Sequence, residues 1–221
     1  SGTGDTADKP YIIGNAAELA FFASLVNTGN NFAKKYVKLN NGITLNKEAN
    51  WVPIGDATHA FTGIFDGNGH TVEGLYINNA AQYQGLFGNV GAGGMVKNLI
   101  ATGTVTAAGQ AKVGGIVAYG AYNSVVQNCG FYGAVTAGTS NTGGVAGSGT
   151  VKNCWYFRTT SGENVAALGV GGTPTNCYHN VSGNSKGTYY EDKAFGDGTV
   201  ASLLNSGLTE GCKAWKAVVG G

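Results

Sequence analysis

The spacing of hydrophobic residues changes twice along this chain. Pro10-Tyr11-Ile12-Ile13 is a short apolar run that predicts a strand. Asn15-Ala16-Ala17-Glu18 then reads as a capping box, in which Asn15 accepts from first-turn amides and Glu18 reaches back. Leu19, Phe22, Ala23 and Val26 follow at helical spacing, with Phe21 and Leu25 widening the apolar face, and Gly29 is placed to end the helix. From Tyr36 the period becomes strand-like. Tyr36–Leu39, Ile43–Leu45, Trp51–Ile54, Phe61–Phe65 and Thr71–Ile77 are short β runs broken by Asn and Gly. Asp66-Gly67-Asn68-Gly69-His70 is dense in residues that tolerate left-handed backbone, so it reads as a tight turn.

The region after residue 80 repeats. Gly85-Leu86-Phe87-Gly88 returns as Gly115–Ala118, Gly144–Gly147 and Ala167–Val170. Val96-Lys97-Asn98-Leu99 returns as Val126–Cys129, Val151–Cys154 and Pro174–Cys177. The Asn positions 98, 128, 153 and 176 are separated by 30, 25 and 23 residues. Units of this length, each with two or three short strands, predict coils of a parallel β-helix stacked about 4.8 Å apart. Roughly six coils follow from the repeat length. In that geometry the four Asn lie above one another at a bend, each amide donating to one neighbour and accepting from the other. An amphipathic helix ahead of such an array would cover the open end of its core. Thr188–Glu191 reads as an edge strand, and Thr199–Leu204 and Leu208–Val218 as the helical, Trp215-bearing part of a C-terminal cap. The organisation is therefore a linker or leader at 1–9 and one β-helix domain over 10–221. Within it, 10–60 form the N-terminal cap and first rungs, 61–187 the coils, and 188–221 the C-terminal cap.

Composition narrows the class. Apolar residues at 43% can build a sizeable core, and 39 Gly against 3 Pro suits tight turns rather than a disordered Gly/Pro-rich chain. The net charge of +1, without a basic stripe, argues against nucleic acid as a partner. No apolar run reaches membrane-spanning length, so no membrane insertion is expected of this chain. Cys129, Cys154 and Cys177 occupy one repeat position that Leu99 holds in the first copy, which reads as a buried apolar column. They lack metal-ligand spacing. A disulfide between neighbouring rungs stays open, because stacking would bring successive Cys close enough.

The pieces FTGIFDGNGHTVEGLYIN at 61–78, GLFG at 85–88, VKNL at 96–99, GTV at 103–105, GGIV at 114–117, VQNC at 126–129 and GAV at 133–135 resemble the GLUG repeat of bacterial surface proteins. The Ala16–Ala20 helix and Trp51-Val52-Pro53-Ile54-Gly55 are similar to the usual approach to such repeats, so the resemblance covers about 10–180. Copies after 140 are shorter and lack the Gly-x-Val element. Proteins of this kind are large, secreted and adhesin-like, and the repeats also stand beside the catalytic part of IgA-specific metallopeptidases. The resemblance implies a right-handed β-helix outside the cell, within a larger multidomain protein, and supplies no catalytic residue.

Candidate chemistry is sparse. His occurs only at 59, 70 and 179, and there is no H-E-x-x-H, nucleophile elbow or P-loop. Asp66 beside His70, with Asp56 and Glu73 nearby, is the best carboxylate set for a β-helix lyase or hydrolase, but Asp66 also belongs to the repeat's turn. The positions after the Cys column differ more between copies. If Cys points inward, alternation turns Ala101, Phe131, Tyr156 and His179 inward as well, and Tyr132, Trp155, Phe157 and Tyr178 outward as an aromatic strip. Exposed, that strip would bind a glycan or a host or partner protein; the alternative is that segment 188–221 folds back over it. The expectation is an all-β, right-handed parallel β-helix with helical and C-terminal caps. Its expected role is a secreted or cell-surface adhesin-like module with no catalytic residues, metal or cofactor. A β-helix carbohydrate-active enzyme and a passive accessory module of a secreted protease are the alternatives.

Overall fold

The computed structural model describes residues 2–138, 140–158, 168–169, 173–183 and 186–216. Its strands are parallel and stacked, coil upon coil, into a β-solenoid of about five turns, one fewer than the repeat length suggested. The shortfall lies at the ends, where the rungs carry strands of only two or three residues.

The chain enters through β1 (Tyr11–Ile13) and α1 (Ala16–Asn27), followed by β2 (Tyr36–Leu39) and β3 (Ile43–Thr44). Coil by coil come β4 (Ile64–Asp66) and β5 (Thr71–Asn78), then β6 (Phe87–Val90) and β7 (Met95–Ala107), then β8 (Val113–Gly114), β9 (Val117–Gly120) and β10 (Val125–Ala137). β11 (Thr142–Gly143), β12 (Thr150–Lys152) and β13 (Trp155–Arg158) form the next coil, before the short β14 (Tyr178–His179) and β15 (Thr188–Tyr189). One sheet runs β1-β2-β4-β7-β10-β13-β14-β15, while β6-β9 and β8-β11 line another side of the coil. The chain closes with α2 (Asp192–Gly196) and α3 (Thr199–Ser206).

The register confirms the inward columns. Val72, Ala101, Phe131, Tyr156 and His179 stack in line and are buried. Leu99 lies beneath Cys129, and all three column Cys are buried and free, which resolves the disulfide alternative in favour of thiols. Two of the Sγ atoms also accept from the preceding coil's main chain, Cys154 from Cys129 N–H at 3.4 Å and Cys177 from Cys154 N–H at 3.3 Å. The Gly-x-Val element is a second bend. A Cβ at Gly133 would lie 1.9 Å from the Gly103 carbonyl oxygen, so the stacked rungs exclude any side chain there.

At the N-terminal end Asn15 caps α1, accepting from Glu18 N–H at 2.9 Å, while Glu18 accepts from Gly14 N–H at 2.6 Å. Leu19, Phe22, Ala23 and Val26 are buried as expected, and Phe22 meets Phe32, Phe61 and Phe65 at ring distances of 4.9, 5.6 and 5.9 Å. This aromatic plug closes the end of the core. Phe21 departs from the expected face, being 63% exposed.

Three other expectations change. Residues 2–9 do not run free: Gly4 accepts from Tyr36 N–H at 2.8 Å and Asp5 pairs with Lys35. Of Trp51–Ile54 only Ile54 makes a β bridge, in a run interrupted by Pro53, which has no N–H to give a ladder. Over 208–216 there is no helix, the run being broken by Gly207 and Gly211; Val218 lies outside the described residues, as do Ala167 and Val170 of the last repeat copy.

Candidate functional site

The four aromatic residues singled out by the repeat lie on one flank, but most of that flank is covered. Tyr132 is 37% exposed and stacks on Phe157 at 5.3 Å and 15°. Phe157 is half-buried, edge-on to Phe195 of α2. Trp155 is fully buried, its ring edge-on to Trp215 at 5.9 Å, and Tyr178 is 7% exposed, edge-on to Tyr190. Of the two readings of the strip, the open one fails at Trp155 and Tyr178, and the fold-back of segment 188–221 holds there. The physical reason is the apolar face of the C-terminal segment: Phe195, Val200, Ala201, Leu204 and Trp215 form a second core with Trp155 and Tyr178. Glycine makes the fit possible. A Cβ at Gly130, one coil before Trp155, would sit 2.0 Å from its indole.

The C-terminal segment also extends along the flank of the coils. After α3 it doubles back along the side of the solenoid and lies over the Asn column. Asn98, Asn128, Asn153 and Asn176 all have left-handed backbone, φ 53°, 53°, 52° and 51°, which Asn tolerates better than other side chains. Their amides form the expected ladder. Asn128 donates to Asn98 at 2.9 Å, Asn153 to Asn128 at 2.8 Å, and Asn176 in turn to Asn153. Asp66 stands at its foot, accepting from Asn98 at 2.9 Å with Lys97 3.6 Å away.

A carboxamide has two donor and two acceptor positions, and a ladder uses one of each. The rest grip the strap. Asn98 donates to the Gly211 carbonyl at 3.0 Å and accepts from Lys213 N–H at 3.0 Å. Asn128 donates to the Lys213 carbonyl at 2.8 Å and accepts from Trp215 Nε1 at 2.6 Å. Asn176 donates to the Leu203 carbonyl at 3.3 Å, and Gln127 to Thr209 Oγ1 at 2.6 Å. From the strap side, Asn205 of α3 pairs with both main-chain groups of Trp215 at 2.7 Å. Sequence reasoning placed the ladder and missed this second use. The signal was present, since a ladder alone leaves half of each buried amide's capacity unmet.

Between strap and solenoid lies a cleft of about 260 Å³, lined by Gly69, Asn98, Ile100, Asn128, Ala214 and Trp215 among others. Trp155 Nε1 has no hydrogen-bond partner.

The carboxylates are not gathered. Asp66 is committed to Asn98, Lys97 and the Asn68 N–H of its own turn. Asp56 sits elsewhere with His59 at 3.1 Å. Burial raises its pKa, but hydrogen bonds from the His59 ring, the Thr58 and His59 N–H groups and the Thr58 hydroxyl outweigh that and hold it at about 2. Glu73 is exposed on β5. His70, half-buried, makes no hydrogen bond or ion pair with any of these carboxylates; its N–H closes the turn on Gly67. Burial raises the Cys154 thiol pKa, and the side-chain hydrogen bond that the Cys177 thiol gives to Cys154, together with burial, raises that of Cys177, so neither is poised as a thiolate. Among the described residues no three His, Cys, Asp or Glu side chains are grouped to hold a metal ion.

No protein-family model matches the chain. Over 104 residues it is 36% identical to a protein of Evansella cellulosilytica named "Putative Gly-rich membrane protein", covering 44% of this chain and 12% of that protein. Over 155 residues it is 33% identical to "Halomucin" of Haloquadratum walsbyi, covering 66% of this chain and 2% of that protein. The chain therefore spans a small part of each relative. Its fold is similar to a crystal structure from Bacteroides ovatus described as a "putative immunoglobulin A1 protease", with a TM-score of 0.58 and 23% identity over 80% of this chain and 58% of that one. Among the described residues no helix is long and apolar enough to cross a membrane.

Proposed function

We propose that this chain is a non-catalytic, adhesin-like module of a larger secreted or cell-surface protein, of the GLUG-repeat kind, which binds a glycan or a partner protein through its solenoid surface. The observation that carries the reading is that the polar groups best suited to chemistry are committed to the fold. Asp66 anchors the Asn ladder, the three column thiols are buried, with those of Cys154 and Cys177 pushed toward their neutral form, and Asp56 is held by its own turn. Membership of something larger draws on relatives of which this chain matches 12% and 2%, and a surface location on the names those relatives carry. Tyr132, exposed and backed by the Phe157 ring, is the member of the aromatic strip that a sugar ring would meet.

The test pairs two measurements. The biotinylated chain is applied to glycan and mucin arrays, and the same polysaccharides are incubated with it and assayed for new reducing ends and unsaturated products. Retention without product is expected, with Tyr132→Ala weakening retention on a glycan. Product release that scales with the chain overturns the reading in favour of a carbohydrate-active enzyme.

A further inference from the structure

The strap is held in the way a peptide ligand is held. The bonds that fix Gly211–Trp215 come from side-chain amides of Asn98, Asn128 and Asn205 and reach its main chain, so they suit many peptide sequences. Two side chains are also contacted: the half-buried Cys212, whose Sγ accepts from Gln127 Nε2 at 3.4 Å, and Trp215, the larger anchor, whose ring lies edge-on to Trp155 and whose Nε1 donates to Asn128 Oδ1. Main-chain bonds that give affinity, plus one pocketed anchor that gives selectivity, are the division of labour in extended-peptide recognition.

The occupant also fits imperfectly. A cleft of about 260 Å³, open to solvent, remains beside the exposed Ala214 and the half-buried Ile100. A buried indole N–H, that of Trp155, is left unpaired next to the anchor. Ala214 lines this cleft with a single methyl, which leaves room beside it for a longer apolar side chain.

From these observations we infer that the Asn ladder and its aromatic flank are a groove for a peptide of a partner protein, which Gly211–Lys216 occupies in cis. The fitting peptide carries an aromatic anchor in the place of Trp215 and a larger apolar side chain in the place of Ala214. This rests on the reading that the module works by binding, and narrows its partner to a peptide.

The test uses the full chain and a fluorescein-labelled peptide of the sequence Leu208–Lys216, in the native form and with the changes A214L and W215A. Anisotropy titrations compare the wild-type chain with the chain carrying Trp215→Ala. A tethered segment competes at an effective concentration near the millimolar range, so weakening it raises peptide affinity by at least about tenfold. The A214L peptide binds more tightly than the native one, and the W215A peptide does not bind. A folded Trp215→Ala chain that binds no better than wild type, or equally well without the peptide's Trp, overturns the proposal. If that chain does not fold, Lys213→Pro, which removes the strap's N–H to Asn98 and leaves every groove side chain in place, must give the same rise. Size-exclusion with light scattering runs alongside. Dimers formed by strap exchange, with no uptake of free peptide, also overturn it. Array retention of glycan or mucin that persists without peptide binding removes the groove and leaves the module reading standing.

Discussion

The Asn ladder supports a prediction that separates backbone strain from hydrogen bonding. Asn128 and Asn153 have the same left-handed backbone, and both are buried. They differ in what they hold. The Asn128 amide makes four hydrogen bonds, to Asn98, Asn153, Lys213 and Trp215, whereas Asn153 makes two, both along the ladder. Asn128→Gly keeps the backbone conformation but leaves Asn153 Nδ2, the Lys213 carbonyl and Trp215 Nε1 without their partners. Each unsatisfied buried group costs about 1–3 kcal/mol, and water entering the vacated space recovers part of that, so a net loss of about 3–4 kcal/mol is expected. Asn153→Gly strips no neighbour bare, because Asn128 Oδ1 keeps Trp215 and Asn176 Nδ2 keeps Leu203. Its cost is therefore about 1 kcal/mol, of the size of one net hydrogen bond. Replacing either Asn with Ala adds about 1–2 kcal/mol, the penalty of a Cβ in left-handed backbone.

Equilibrium urea denaturation measures all four variants, followed by far-ultraviolet circular dichroism for the coils and by Trp fluorescence for Trp155 and Trp215 in the strap. The expected order of loss is Asn128→Ala, Asn128→Gly, Asn153→Ala, Asn153→Gly. Equal losses for the two Gly variants would refute the strap's attachment to the ladder. Ala no worse than Gly at both positions would refute the left-handed backbone.

Two further outcomes follow from burial and charge. Cys212 is half-buried while Cys129, Cys154 and Cys177 are enclosed, so a thiol reagent labels one cysteine in the native chain and four after unfolding. Cys212→Ser removes the native reaction, and labelling of any column Cys without unfolding contradicts the packing. The Asp56 pKa is depressed to about 2, below the unfolded value of about 3.9, so its stabilising contribution is complete above pH ~4 and is lost as pH falls through ~2. Asp56→Asn should flatten the wild-type decline of the urea midpoint between those pH values; an unchanged slope counts against the His59 and Thr58 bonds.

The repeat period, the inward columns and the helix cap were legible because each rests on local spacing: Leu99 beneath Cys129, Phe131 beneath Tyr156, Asn15 over Glu18. The number of turns and the Trp51–Ile54 run were less so, since short terminal rungs and Pro53 break the pattern that was being counted. That segment 188–221 could fold back over the aromatic flank was legible from its apolar residues, but its further course onto the Asn column was not. Its bonds join residues 113 and 115 positions apart, and nothing periodic in 207–216 announces Asn98 as a partner. Alternation told which residues leave the coil at Trp155 and Tyr178, but leaving the coil and reaching solvent are different events when another segment has apolar residues to bury.

The change in outward residues along the stack explains where that segment lies. The outward column reads Ile100, Gly130, Trp155, Tyr178, and the next reads Thr102, Tyr132, Phe157. Large rings enter only in the later coils, where α2 and α3 bring Phe195, Val200 and Leu204 against them. The ladder amides run through all four coils, but in the earlier ones no large ring stands beside them, and there the helices have ended and bare main chain takes over. Helices, whose main chain is satisfied internally, meet the apolar stretch, and the irregular strap, whose main chain needs partners, meets the ladder. The two halves of the flank therefore make different demands on a partner. The aromatic half is closed by three turns of helix and a shared core. The amide half is closed by a few side-chain bonds over a cleft that is not filled, which makes it the half from which the tail is easiest to displace.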